Sequence, residues 1–167
     1  MTIRADGITF TGYFPGVVGK VTELHAEYYA EHWGFDRSFE TQVGREFAEF
    51  IEGFSESRDE LMAAVREKTL VGSIAVDGSL AATEGARIRW FIVAPPEQGK
   101  GLGKTLLSHS VQFCRRCGYK NVFLWTFEGL KKARTLYEQL GFRLCIEHEV
   151  DQWGTLIREQ KFELRLF

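Results

Sequence analysis

The densest chemical signal in the sequence is the hexapeptide Gln98-Gly99-Lys100-Gly101-Leu102-Gly103. It follows an apolar stretch that reads as a strand over residues 87–93 and the link Ala94-Pro95-Pro96-Glu97, and it opens a helical stretch. Glycines at 99, 101 and 103 let the backbone turn tightly and approach a ligand without an obstructing Cβ. The unpaired N–H groups that begin a helix, with the helix dipole behind them, attract an anion. Lys100 and Lys104 add positive charge, so a phosphate or pyrophosphate is the natural guest. Two well-known phosphate motifs fail on residues. The nucleotide-triphosphate loop GxxxxGK[ST] would end at Gly103-Lys104-Thr105, but its first glycine would fall on Gln98. A dinucleotide GxGxxG beginning at Gly99 fails at Lys104, and it would lie far from the N-terminal strand where that motif normally sits.

The elements that must position this loop can be read from periodicity. Residues 8–14 alternate loosely as a strand ended by Pro15-Gly16. Val17, Val21, Leu24 and Tyr28 recur at helical spacing over residues 17–33, and Gly34 stops that helix. A second helix spans residues 39–51, carried by Val43, Phe47, Phe50 and Ile51. Strands over 60–66 and 69–76 flank a turn at Glu67-Lys68. After strand 87–93 a helix runs over 101–117 with Leu106, Leu107, Val111 and Cys114 facing inward. Residues 121–126 form a short, nearly all-apolar strand, as a central position requires. A helix over 130–140 follows, then strands over 142–150 and 155–166 joined through Gly154. The expectation is one α/β (α+β) domain over residues 1–167, a mixed, mostly antiparallel seven-stranded sheet flanked by about four helices.

Composition narrows the function classes. Lys and Arg total 21 against 23 Asp and Glu, so a net charge of -2 gives no electrostatic case for nucleic acid or an anionic membrane as partner. No apolar run is long enough to span a bilayer, and the start, Met1-Thr2-Ile3-Arg4-Ala5-Asp6-Gly7, lacks an apolar signal core. Cys114, Cys117 and Cys145 are an odd set with no second pair for a zinc framework, so no metal is expected. The CxxC of Cys114 and Cys117 falls late in its helix, away from the terminus that would stabilise a thiolate. Packed free thiols in a reducing cytoplasm are the plainer reading.

Gln98, Gly101 and Gly103 match the pattern Gln-or-Arg, x, x, Gly, x, Gly-or-Ala of the GNAT acetyltransferase superfamily, which this sequence resembles. Val93-Ala94-Pro95 ahead of it, and Ala133-Arg134-Thr135-Leu136-Tyr137-Glu138-Gln139-Leu140-Gly141-Phe142 behind it, look like that family's next landmarks, so the marked match covers about residues 86–142. More narrowly, Tyr13-Phe14-Pro15-Gly16, Glu23-Leu24-His25-Ala26-Glu27-Tyr28-Tyr29, Trp125-Thr126-Phe127 and Gln152-Trp153-Gly154-Thr155 resemble the acetyltransferase half of regulators that join a winged helix to a GNAT domain. No winged-helix half is present, and DNA binding is not expected.

The resemblance implies acetyl-CoA as cofactor, lying between strands 87–93 and 121–126 where they diverge. Its pantetheine would pair with the backbone of Ile92 and Val93, and its pyrophosphate would meet the N–H groups of Gln98, Gly99, Lys100, Gly101 and Gly103, with Lys104, Lys132 and Ala133 adjoining. Lys131 and Arg134 are further cations on the same helix. Tyr137 matches the family's tyrosine near the sulfur, where it would protonate the departing thiolate, a contribution of about 10²–10⁴-fold. A backbone N–H near Val93 would meet the oxyanion. Two departures stand out: strand 87–93 offers Arg87 and Arg89 where many members carry a glutamate, and Leu130 stands where asparagine is frequent. On helix 17–33, His25, Tyr29 and His32 lie near one edge as candidate acceptor contacts, and Glu23, Glu27 and Glu31 line another.

The acceptor is expected to be a small-molecule or peptide amine. With no Cys or Ser in a nucleophile motif, direct attack is expected rather than an acetylated enzyme. A non-catalytic acyl-CoA sensor and an acyltransferase acting on a protein amine are the alternatives. One exposed sheet edge in the tail allows a homodimer.

Overall fold

A computed structural model of the protein describes residues 3–167, with side chains from Asp6 onward; Met1 and Thr2, the start of the N-terminal stretch read above, lie outside the described residues. The elements in chain order are β1 Ile3–Ala5, β2 Ile8–Thr11, α1 Val17–Trp33, α2 Arg37–Glu52, β3 Glu60–Arg66, β4 Thr69–Asp77 and β5 Ala86–Val93. They continue with α3 Leu102–Arg116, β6 Asn121–Phe127, α4 Lys131–Gln139, β7 Arg143–Gln152 and β8 Thr155–Arg165. The strands form one sheet in the order β1-β2-β3-β4-β5-β6-β8-β7, and every pairing is antiparallel except β5 with β6. The seven strands and four helices read from periodicity are present. The eighth strand, β1, pairs with β2 through only three residues, too few to show an alternation in sequence. Strand β2 stops at Thr11, short of the expected residue 14. Phe14 instead belongs to a turn, its carbonyl accepting from the Val17 N–H at 3.0 Å as the chain enters α1.

Local chemistry sets the element ends. Gly34 closes α1 at φ 70°, a left-handed position that glycine adopts without a Cβ penalty. Asp36 caps α2, its side chain accepting from the Ser38 N–H at 2.9 Å. Glu67 and Lys68 both have positive φ, the conformation a two-residue hairpin demands.

The period-two rule of strands sorts the core onto two faces. Leu61, Ala63 and Ala75 pack with Val17, Val21, Phe47 and Phe50 of α1 and α2. Met62, Ala64, Ile74 and Val76 pack on the other face with Leu106, Leu107 and Val111 of α3 and Tyr137 of α4. Leu106, Leu107, Val111 and Cys114 are all buried, as their spacing requires. A third cluster, of Tyr29, Phe35, Phe39, Val43, Ile92, Phe127 and Ile157, ties the end of α1 to the ends of β5 and β6. Among the described residues no helix is long and apolar enough to cross a membrane.

Candidate active site

Strands β5 and β6 pair over three positions only, Ala86↔Val122, Arg87↔Phe123 and Ile88↔Leu124. Beyond Ile88 they part. The cause lies on the other side of β5, where the register with β4 shifts between Ser73 and Ala75. Trp90 takes φ 48°, and its carbonyl accepts a hydrogen bond from Ser73 Oγ at 2.7 Å. Such a bulge bends the strand and raises its twist. Strand β6 meanwhile stays with β8 as far as Phe127↔Glu159. The result is a wedge inside the sheet, opening into a cavity of about 1010 Å³.

Backbone polarity in the wedge follows from alternation. The Ala94 N–H donates to the Val71 carbonyl at 2.8 Å. Antiparallel pairing alternates bonded and non-bonded positions, so Ile92 is turned to β4 and the Val93 N–H and C=O face the wedge. The Val93 carbonyl accepts from Gln98 Nε2 at 3.0 Å, which draws the glycine-rich loop back over the strand end.

In that loop Gly99 and Gly101 have φ 78° and 87°, and neither would bring a Cβ near another group, so backbone freedom is what glycine supplies there. The first backbone bond of α3 runs from the Thr105 N–H to the Gly101 carbonyl at 3.0 Å. The N–H groups of Leu102, Gly103 and Lys104 precede it, and no side chain caps the helix. At Gly103 the constraint is space: a Cβ would lie 3.2 Å from Leu136 Cδ1 on α4. Gln98, Gly99, Gly101, Gly103 and Lys104 line the cavity. Lys100 does not; its Nζ lies 3.8 Å from Glu97 Oε1. Glu97 is itself buried and gripped by Arg66, Nε at 2.9 Å and Nη2 at 3.1 Å, hydrogen bonds that hold its carboxyl below the usual range. This ion pair fastens the loop to the end of β3. Nothing in the local sequence announces it, because Glu97 reads as a loop residue and its partner lies across the sheet.

From α4, Lys131, Lys132, Ala133, Leu136 and Tyr137 line the cavity, while Arg134 turns to Glu138 at 3.3 Å and to the face of Phe162. Tyr137 is buried among Phe91, Phe142 and Phe162. Across the wedge, Tyr29 of α1 is equally buried, and desolvation raises the pKa of both hydroxyls far above that of a free tyrosine. Both tyrosines line the same cavity, from opposite sides of the parted sheet. The three candidate side chains of α1, His25, Tyr29 and His32, all reach the cavity. His25 Nδ1 lies 2.8 Å from the Val21 carbonyl and must donate to it, leaving Nε2 as an acceptor. Burial lowers the His25 pKa to about 4, so the ring is neutral at pH 7.

At the other end the cavity is lined by Arg87 and Arg89 of β5, Glu46 of α2, Trp125 of β6 and Glu159 of β8. A carboxylate therefore does stand beside this strand, supplied by α2 rather than by the strand itself. The turn at Trp153-Gly154 closes over that end. Trp153 Nε1 donates to Gln42 Oε1 at 2.9 Å, and the Asp36 N–H donates to the Trp153 carbonyl at 2.9 Å. Away from the cavity, His109 lies 3.2 Å from Glu60, and the three cysteines are free, with burial pushing the Cys114 thiol up to about 12.

The fold recurs in known proteins. Residues 19–142 match the model of the family described as Acetyltransferase (GNAT) family. A protein from Desulfovibrio desulfuricans assigned as an acetyltransferase of the GNAT family is 22% identical, with 95% of this chain and 98% of that chain covered at a TM-score of 0.73. The yncA protein of Salmonella typhimurium, assigned as an acetyltransferase and solved with its cofactor acetyl-CoA, is 17% identical over 97% of this chain and 95% of that one, at a TM-score of 0.71. Arabidopsis thaliana NAA60, solved with a bisubstrate analogue, is 16% identical over 95% and 97%, at a TM-score of 0.68. At these identities the likeness is one of fold. No protein of curated function matches the sequence.

Proposed function

Because the chain belongs to the GNAT acetyltransferase family, we propose that it moves the acetyl group of acetyl-CoA onto an amine by direct attack in a ternary complex. The observation that carries this reading is the wedge between β5 and β6. It presents the Val93 backbone along one wall, the uncapped N-terminus of α3 at one end and the Tyr137 hydroxyl within. An elongated thioester with amides in its arm and phosphates at its tail matches that sequence of groups.

Acetyl-CoA supplies the activated acetyl thioester. In the proposed roles, the N–H groups of Leu102, Gly103 and Lys104 grip the pyrophosphate, joined by the backbone of Gln98, Gly99, Lys100 and Gly101, while Lys104, Lys131 and Lys132 add charge. Ile92 and Ala133 contribute wall contacts, and the Val93 N–H meets the carbonyl oxygen as negative charge grows on it. Tyr137 gives its hydroxyl proton to the departing sulfur. Its raised pKa suits that task, because the same burial that keeps the phenol neutral also disfavours a thiolate. Neutral His25 offers Nε2 as hydrogen-bond acceptor to the incoming amine, with Tyr29 and His32 beside it.

The proposal takes residues 1–167 as one acetyltransferase domain working in a reducing cytoplasm, its small-molecule or peptide acceptor entering over α1, α2 and the β7–β8 turn. The narrower likeness to winged-helix fusion regulators belongs to the same reading: three of its four segments, at Tyr29, Trp125 and Trp153, line one cavity, and the fourth, at Tyr13-Phe14-Pro15-Gly16, does not. The exposed β7 edge, with Leu144 and Ile146 outward, is the surface on which a homodimer would form. Two measurements test the central reading. Calorimetry should detect coenzyme A binding to the protein, and a panel of amines should include one that releases thiol from acetyl-CoA. Binding without turnover for every amine would favour a sensor, and absence of binding would end the reading.

A further inference from the structure

Residues 87 and 89 share one face of β5, two positions apart, so two guanidinium groups lie side by side at the acceptor end of the cavity. Their surroundings differ. Arg89 is neutralised twice, by Glu46 at 3.3 Å and Asp77 at 3.4 Å, and its guanidinium stacks 4.2 Å above the Trp90 ring. Arg87 has none of this: its Nε is buried without any hydrogen-bond partner among the described residues. Nor does a neighbouring carboxylate stand idle. Glu159, which lines the same end, is engaged by His148 at 3.0 Å and by Gln152 at 3.4 Å. The rest of the half-buried guanidinium opens to the cavity. A donor such as Nε, cut off from water and left without an acceptor, is costly, so a cavity that keeps one there suits an anion that arrives from outside.

We infer that the acceptor amine of the acetyl transfer proposed above carries a carboxylate, and that Arg87 binds that carboxylate. The planar guanidinium fork matches the two oxygens of a carboxylate, giving both strength and orientation. Glu46 and Glu159 stand at the same end of the cavity, and their repulsion disfavours a phosphate dianion more than a single negative charge. Polyamines, which bring only positive charge, would leave the Arg87 Nε unpartnered and set their ammonium groups against it. Arg87 is thus a specificity-determining residue, distinct from the groups that meet the donor.

The test compares amino carboxylates with their own carboxamides: α-amino acids, ω-amino acids and dipeptides, with a polyamine and phosphoethanolamine alongside. Each is measured by thiol release from acetyl-CoA and, independently, by calorimetric binding to the protein loaded with coenzyme A. The expected result is a KM at least about tenfold lower for a carboxylate than for its carboxamide, in line with a charge-assisted hydrogen bond. In Arg87→Gln that ratio should collapse towards one, while coenzyme A still binds, showing that the variant folds. Arg87→Lys, which keeps the charge and loses the fork, should keep part of the preference. The inference is overturned by equal KM values within every pair, or by a preference for the polyamine or phosphoethanolamine. It is equally overturned if Arg87→Gln slows both members of a pair alike, or if no carboxylate in the panel binds. Failure of wild-type protein to bind coenzyme A would instead remove the acetyltransferase reading on which the inference rests.

Discussion

Tyr137 and His25 approach the same space from opposite faces of the sheet, and burial acts on them in opposite directions. It keeps the phenol protonated and keeps the imidazole unprotonated, so each is held in its neutral form at pH 7. Replacing Tyr137 by Phe removes the proton donor and little volume. Turnover should fall by about 10²–10⁴-fold while coenzyme A affinity stays near wild type, as single-turnover rates and calorimetry would show. An unchanged rate would take the acid role away from Tyr137. At His25 the same burial becomes a statement about stability. The folded-state pKa of about 4 lies below the ordinary 6.5, so the stabilisation is complete above about pH 6.5 and is lost as the pH falls towards 4. The loss should amount to about 3 kcal/mol at most. Urea midpoints measured from pH 7 to pH 4 should show it, and His25→Gln should flatten that part of the profile.

The glycine-rich loop leads directly into α3. Gly101 stands at φ 87° with open space where a side chain would go, so Gly101→Ala meets backbone strain rather than a clash. The left-handed penalty is about 1–2 kcal/mol, and coenzyme A affinity should weaken by about tenfold as the loop relaxes away from that shape. Gly103→Ala poses the other problem: its Cβ crowds the flexible end of Leu136 at 3.2 Å and meets Phe91 and Val93 at an ordinary 3.6 Å, so it should be the milder change. A reversal of that order in a binding titration would contradict the division of roles. These elements were legible in sequence because their signals are local: helical spacing in α1 and α3, glycine at the end of α1, and glycines where the chain enters α3. The pairing of the Lys100 side chain with Glu97 was not legible, since position in the loop says nothing of Glu97 beneath it. The bulge at Trp90 was hidden too. A tryptophan gives no hint of positive φ, and the Ser73 hydroxyl that holds its carbonyl comes from the neighbouring strand. The Arg66–Glu97 pair and the meeting of Trp153 with Gln42 are likewise products of tertiary packing, joining residues far apart in the chain.

Across the molecule, two core clusters clamp the sheet from either side, and the aromatic cluster of Tyr29, Phe35, Phe39 and Phe127 bridges the end of α1 to the end of β6. That bridge is tight: a Cβ at Gly129, just beyond β6, would fall 2.2 Å from Trp33 Cη2. The cavity is therefore walled by parts of one continuous sheet and its helices, and donor and acceptor can meet without a hinge between lobes. Beyond Ile88, β5 and β6 are no longer paired. A ladder with its upper rungs missing leaves the Val93 amide facing solvent in the middle of a protein, where deuterium can replace its hydrogen. A guest whose thioester carbonyl takes up that hydrogen would shield the site. Mass spectrometry should therefore record quick labelling of the peptide spanning residues 89–94 in the empty protein and slow labelling once acetyl-CoA is added, with β3 and β4 labelled alike in both.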